Sequence, residues 1–171
     1  MSSFTERMIG AARLDIATYE EVEADTTATG QALLVVVLSS IAAGLSFVTV
    51  EGFSGLIWGT VGEIVAWVIL AATTSLVGTK ILPEPQTQAD IGELLRTIGF
   101  AASPGILRIL GIIPYTRYVV YLVISLWFLA AVVVAVRQAL DYKSTGRAVA
   151  VSLVGFVVYF AVLMLRLWVV S

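Results

Sequence analysis

"TIGFAASPGILRILGII", residues 97–113, is apolar enough to enter a membrane, yet it offers only 17 residues. Crossing the hydrocarbon takes about 20 residues of α-helix. Ser103-Pro104-Gly105 lies in the middle of the stretch and Arg108 beyond it. Proline removes a backbone donor and breaks the helical ladder, so two readings are open: a short, kinked span, or a re-entrant hairpin that returns to the side it came from.

Working outward, four further stretches are long enough to cross: Gln31 to Val50, about Leu56 to Leu82, Tyr118 to Val136, and Ala148 to Val170. The basic residues choose between the two readings, because cytoplasmic loops are rich in Lys and Arg. If 97–113 spans and the N-terminus is inside, Arg7, Arg13, Lys80, Arg96, Arg137, Lys143 and Arg147 lie inside, against Arg108, Arg117 and Arg166 near the outer face. If it is re-entrant, Arg137, Lys143 and Arg147 move outside and the bias inverts. The sequence therefore predicts an all-α, polytopic integral membrane protein with five transmembrane helices, N-terminus inside and C-terminus outside.

Composition supports that class and removes most chemistry. Of 171 residues, 59% are hydrophobic and 13% charged, far from soluble globular usage. The chain has neither Cys nor His, which excludes disulfides, thiolate nucleophiles and imidazole metal ligands. The net charge of −2 gives no electrostatic footprint for nucleic acid. No catalytic residue, metal or cofactor is expected.

Residues 1–29 form a separate acidic segment ahead of the transmembrane domain at 30–171. Arg7 and Arg13 stand against Glu6, Asp15, Glu20, Glu21, Glu23 and Asp25, and these acids rule out a cleavable signal. Met8, Ala12, Ile16, Tyr19 and Val22 recur at helical spacing, which predicts one amphipathic helix over about residues 5–23. It is expected to dock on the protein's own cytoplasmic loops, with partner binding as the alternative. Further on, "LPEPQTQAD" (82–90) ends the second span, and Asp90 to Arg96 reads as a short interfacial helix.

One phrase is written twice. "DTTATGQA" (25–32) and "DYKSTGRA" (141–148) share Asp-x-x-x-Thr-Gly-x-Ala before an apolar run. Asp, Ser and Thr accept hydrogen bonds from the first N–H groups of a helix, so Asp25, Thr29, Gly30 and Asp141, Thr145, Gly146 are read as helix starts on one membrane face. The glycines are expected to admit close neighbours, with the acidic segment through Asp25 lying beside the basic hairpin of Arg137, Lys143 and Arg147.

The five-span layout, the acidic run "RLDIATYEEVEADTTATGQALL" (13–34) and the hairpin "VRQALDYKSTGRAVAV" (136–151) resemble bacterial members of the Yip-domain family of Ypt/Rab-interacting proteins. The resemblance implies five transmembrane helices, a cytoplasmic N-terminus and a bacterial cytoplasmic membrane. Eukaryotic members bind prenylated Rab-type GTPases. Their Asp-Leu-Tyr-Gly-Pro run is missing here, so GTPase binding is not supported by the residues present.

Ionisable residues at membrane depth are costly and are the first functional candidates. Glu63, Arg108 and Arg166 qualify. Arg166 is near enough to the end to snorkel. Glu63 and Arg108 are expected to pair across facing helices or to share a polar pocket. The leading functional expectation is a non-enzymatic scaffold or adaptor that binds another membrane protein, self-associates or organises lipid. The second is a small carrier or channel using Glu63 and Arg108, disfavoured because the first, fourth and fifth spans carry almost no polar row.

Overall fold

A computed structural model describes residues 2–113 and 115–170; the side chains of 49–51, 55, 162, 163 and 165–170, Arg166 among them, lie outside the described set. The chain opens with α1 (Phe4–Ala12), started by a capping box in which Ser3 and Glu6 bond reciprocally. It reverses and continues as α2 (Ile16–Ala24). The single amphipathic helix expected over 5–23 is thus two helices. Asp15 Oδ2 accepts from the Thr18 N–H at 3.0 Å, a helix start that competes with continuation of α1. Leu14 takes a positive φ of 62° to make the turn, and Gly10 leaves the space that the Thr18 side chain occupies.

The hairpin is held by a buried cation. Arg7 is 2% exposed and bonds Glu21 at 2.9 Å, Asp25 at 2.8 Å and Gln31 at 3.1 Å. Bonds from Ser2, followed by those from Arg7, hold the Glu21 carboxyl down at about 2. From the other side, the buried Arg96 guanidinium donates to the carbonyls of Val22 and Glu23, satisfying the exposed C-terminal end of α2. Trp127 Nε1 does the same for α1, donating to the Ala12 carbonyl at 2.7 Å.

The long helix α3 (Thr29–Leu76) is two limbs joined at Gly52, whose φ of 68° and ψ of −170° only glycine adopts without strain. After a π-helical turn (Val77–Ile81) and the proline linker come α4 (Ile91–Ala101), a 3-10 helix (Ser103–Ile112), α5 (Arg117–Ala139) and α6 (Thr145–Val170). Among the described residues four segments are long and apolar enough to cross a membrane: Thr26–Val48, Gly52–Ile81, Ile91–Ile112 and Arg117–Ala139. α6 adds a shorter described apolar stretch, Thr145–Ala161.

The contacts fix how these rods run. Gly99 meets Ala32, Gly105 meets Ser39 and Gly111 meets Ser46, so the third rod runs parallel to the first limb of α3. Tyr121, near the start of α5, bonds Ser46 at 2.8 Å, whereas Tyr142, just beyond its end, bonds the carbonyls of Gly78 at 2.9 Å and Leu82 at 2.7 Å. Gly155 packs on Leu70 and Thr74 while Tyr159, further along, bonds Glu63, which sets α6 antiparallel to the second limb.

The stretch 97–113 therefore continues in one direction, and its 3-10 portion explains how. A 3-10 helix rises about 2.0 Å per residue against about 1.5 Å for an α-helix, so the stretch gains length, from about 26 Å to about 30 Å. The expected interfacial helix at 90–96 is the beginning of the same rod, started by an Asp90–Glu93 capping box.

Large apolar side chains point away from the packed interior: Ile57, Val61, Val65 and Val68 on the second limb, Val119, Leu122 and Leu126 on α5, and Leu153, Val157 and Phe160 on α6 are all exposed. Contiguous apolar surface of this kind is suited to hydrocarbon and not to water. This is a helical integral membrane protein whose outer surface contacts lipid.

Two outcomes follow. A Cβ at Gly99 would lie 2.7 Å from Ala32 Cβ and 3.2 Å from its backbone, whereas Gly30 has nothing within 4 Å. Gly99→Ala should lower thermal stability in detergent by about 1–3 kcal/mol and Gly30→Ala should leave it unchanged or raised; equal effects would contradict this packing. Burial, with Glu93, Asp141 and Glu20 nearby, pushes the Glu23 carboxyl up to about 7 from its ordinary 4.5. The folded chain holds that proton more tightly, so the contribution is fully present below pH 4.5 and lost as pH rises through 7. Melting measured across that window should fall with pH, and Glu23→Gln should remove that part of the fall.

Candidate functional site

Both limbs of α3, α4, the 3-10 helix, α5 and α6 contribute to a cavity with two lobes. The larger, about 400 Å³, is lined by Glu63, Arg108, Tyr121, Ser125, Phe156 and Tyr159 among others. The smaller, about 20 Å³, continues inward past Ser39, Ser40 and Trp67, and shares Glu63, Arg108, Phe128 and Tyr159 with the first. The larger lobe has its mouth between α5 and α6, where Leu122, Leu126, Leu153 and Phe160 are each more than half exposed on the lipid-facing surface.

The Tyr159 hydroxyl donates to Glu63 Oε2 at 2.6 Å. The Arg108 guanidinium sits 5.7 Å from the Tyr121 ring centroid, and its Nε is buried without a hydrogen-bond partner. Tyr121 is itself fixed by Ser46 and by the Ala43 carbonyl at 2.9 Å. Among the described residues no ion pair joins Glu63 to Arg108. The two share the cavity, while the direct bond to Glu63 comes from a tyrosine. Sequence reading missed Tyr121 and Tyr159; Tyr159, a hydroxyl-bearing aromatic well inside an apolar run, was an available signal, whereas Tyr121 lies within two turns of the start of α5, where Tyr commonly marks the interface.

The doubled phrase stands at two helix starts. α3 begins at Thr29 and α6 at Thr145. The oxygens do different work in each. Asp25 Oδ1 accepts from the Thr27 N–H at 3.0 Å, starting the 3-10 turn Thr26–Ala28 that leads into α3. In the second phrase Asp141 has a positive φ of 52° in the turn after α5, and Ser144 Oγ accepts from the Arg147 N–H at 3.3 Å. The glycines do not admit close neighbours: Gly30 has open space, and Gly146 meets only Ser144 Oγ, at 3.6 Å. The acidic segment does reach the hairpin, with Glu23 near enough to feel the charge of Asp141, but Asp25 itself is paired elsewhere. Its cation is Arg7, and the Thr27 hydroxyl and Arg7 together hold its carboxyl low.

The hairpin's acid is Glu84. Its carboxylate accepts from the backbone N–H groups of Lys143 at 3.0 Å and Ser144 at 3.1 Å, with Arg147 Nε 3.9 Å away. Arg147 also donates to the Pro83 carbonyl at 2.6 Å, and Arg137 Nε donates to the Tyr142 carbonyl at 3.2 Å. The reason is positional. Tyr142 ties the hairpin to the end of the second limb, where the two prolines hold Glu84 beneath it.

The family model described as the Yip1 domain matches residues 16–165, which is most of the chain. The chain belongs to the Yip1 domain family. Neither the curated proteins nor the solved structures give a match. Within this Yip1 domain lie Glu63, Arg108, Tyr121 and Tyr159 of the cavity, together with Glu84 and the basic hairpin. α1, with Arg7, precedes the matched span and is clasped onto the domain through Glu21, Asp25 and Gln31.

The Tyr159–Glu63 bond is testable as a pair. A hydrogen bond to a charged group is worth about 1.5–3 kcal/mol, so Tyr159→Phe and Glu63→Leu, each of which removes the bond, should be strongly non-additive in a double-mutant cycle of thermal stability. Additive losses would mean that the two groups act independently.

Proposed function

We propose that this Yip1-domain protein is a non-enzymatic five-span scaffold that organises lipid, or the lipid-like part of a membrane partner, in the cleft between α5 and α6. The observation that carries the reading is the sideways mouth: an apolar and aromatic cavity that meets the lipid-facing surface and ends on a polar floor. Sites that bind small molecules are concave, mainly apolar and equipped with a few placed polar groups, and this cavity has that character. The topology we favour places the N-terminus in the cytoplasm of a bacterial cell and the C-terminus outside, as the basic residues argue.

A carrier using Glu63 and Arg108 is the second reading, since both residues line one cavity. A path across the membrane needs polar groups throughout, yet the inner lobe narrows to about 20 Å³ among Val36, Trp67, Leu70 and Ile98. Binding without passage is the simpler use of this geometry. Acyl-transfer or hydrolytic chemistry would need a nucleophile beside a base, and the floor holds a carboxylate already engaged by a tyrosine.

The cleft is tested by filling it. Protein purified in mild detergent should retain lipid at a fixed stoichiometry by native mass spectrometry, and Ser125→Trp, which places a large ring in the mouth, should lose it. Equal retention by both proteins would overturn the reading. For topology, single cysteines in place of Ser3 and Ser144 should label from the cytoplasm, and one in place of the fully exposed Tyr115 from outside.

A further inference from the structure

We infer that the α5–α6 cleft selects a zwitterionic phospholipid, with its phosphate on the Arg108 guanidinium and its ammonium at Glu63. This deepens the lipid-organising reading and rests on it. The starting observation is a pair of opposite charges that line one cavity without bonding each other. Glu63 has one oxygen taken by Tyr159, while its Oε1 has no donor among the described residues. Arg108 is the fixed cation, held against Tyr121; its Nε is sealed in the packing, and its two terminal nitrogens have no hydrogen-bond partner among the described residues and remain for a ligand.

Complementarity then narrows the headgroup. A guanidinium presents a planar fork suited to phosphate. A purely anionic lipid would satisfy Arg108 but bring its negative charge towards Glu63 in a medium where charges are poorly screened. A cationic amphiphile would make the reverse error at Arg108. An ammonium–phosphate headgroup meets both groups at once.

The rest of the cleft argues for chains on that headgroup. Phe128 packs edge-to-face on Phe156 at 5.6 Å, and Phe156 on Tyr159 at 5.8 Å, giving an aromatic wall above the polar floor. The mouth residues Leu122, Leu126, Leu153 and Phe160 open onto the lipid-facing surface. A volume of about 400 Å³ is at the small end of ligand pockets. It accommodates a headgroup and the first part of its chains, with the remainder leaving between α5 and α6 into the bilayer.

The experiment is competition on the full-length protein. Delipidated protein in detergent is offered equal amounts of phosphatidylethanolamine and phosphatidylglycerol, and bound lipid is read by native mass spectrometry. One charge-assisted bond gained corresponds to about tenfold or more in favour of phosphatidylethanolamine. Glu63→Gln should bring that preference close to unity while lipid still binds, and Arg108→Gln should lower retention of both lipids. Lipid bound without headgroup preference, or a preference that survives Glu63→Gln, overturns the selectivity and leaves the cleft reading standing. No lipid bound by the wild type overturns both. Protection by water-soluble phosphoethanolamine equal to that by the lipid overturns the requirement for chains. If Arg108→Gln does not fold, the wild-type preference and its loss in Glu63→Gln decide the matter.

Discussion

The close approach of the third rod to the first limb of α3 is the constraint on which the rest depends. Inside a membrane, helices gain little from hiding apolar surface from one another, so association relies on small residues that let backbones come near. Gly99, Gly105 and Gly111 recur every six residues, whereas their partners Ala32, Ser39 and Ser46 recur every seven. Two α-helical turns take about seven residues, and two 3-10 turns take six. Gly99 still lies in the α-helical part of the third rod; from Ser103 on the rod is 3-10, and there a six-residue step keeps pace with the seven-residue step of the α-helical limb, so the two stripes stay in contact. A ten-residue 3-10 helix is longer than such helices usually run, and here a continuous row of contacts holds it.

That tightening also aims the site. Side chains three apart eclipse on a 3-10 helix, so Arg108 shares a line with Gly105 and Gly111 and faces inward with them. A Cβ on Gly105 would lie 3.8 Å from the Arg108 guanidinium. On an α-helix the same three-residue step falls about 60° short of a full turn and would turn Arg108 towards the flank. The local helix type therefore converts a charged residue in an apolar segment into part of the cavity floor.

The other end of the bundle is organised by a different principle. α1 and α2 are too short to be stable alone, since isolated helices below about 12–15 residues are marginal. Their exposed C-terminal carbonyls are taken by Trp127 and Arg96, and their charges by Arg7. A buried arginine is tolerable because two carboxylates and an amide surround it. Much of this was legible beforehand: the acidic segment, the apolar rods, and the helix starts at Thr29 and Thr145. The break at Leu14 was not, because the periodicity of Met8, Ala12, Ile16, Tyr19 and Val22 runs straight through it. Nor was the identity of each charge's partner, since a sequence records that Asp25 and Glu84 are acids but not that Arg7 is buried between two helices or that Tyr142 sets Glu84 under the hairpin.

Glu63 and Arg108 show where pattern reading stops. Two opposite charges at membrane depth invite the inference that they neutralise each other, and an ion pair is the simplest way to keep both. The protein instead gives the carboxylate a tyrosine hydroxyl and rests the guanidinium against an aromatic ring. Each arrangement lowers the cost of burial without using all of the group's bonding capacity. A mutual pair would have closed the floor and left a structural bridge. With no ion pair between them, the carboxylate and the guanidinium both line a space of about 400 Å³ with bonding capacity unused, and a group retained in that condition is more economically explained by what enters the cavity than by the packing around it.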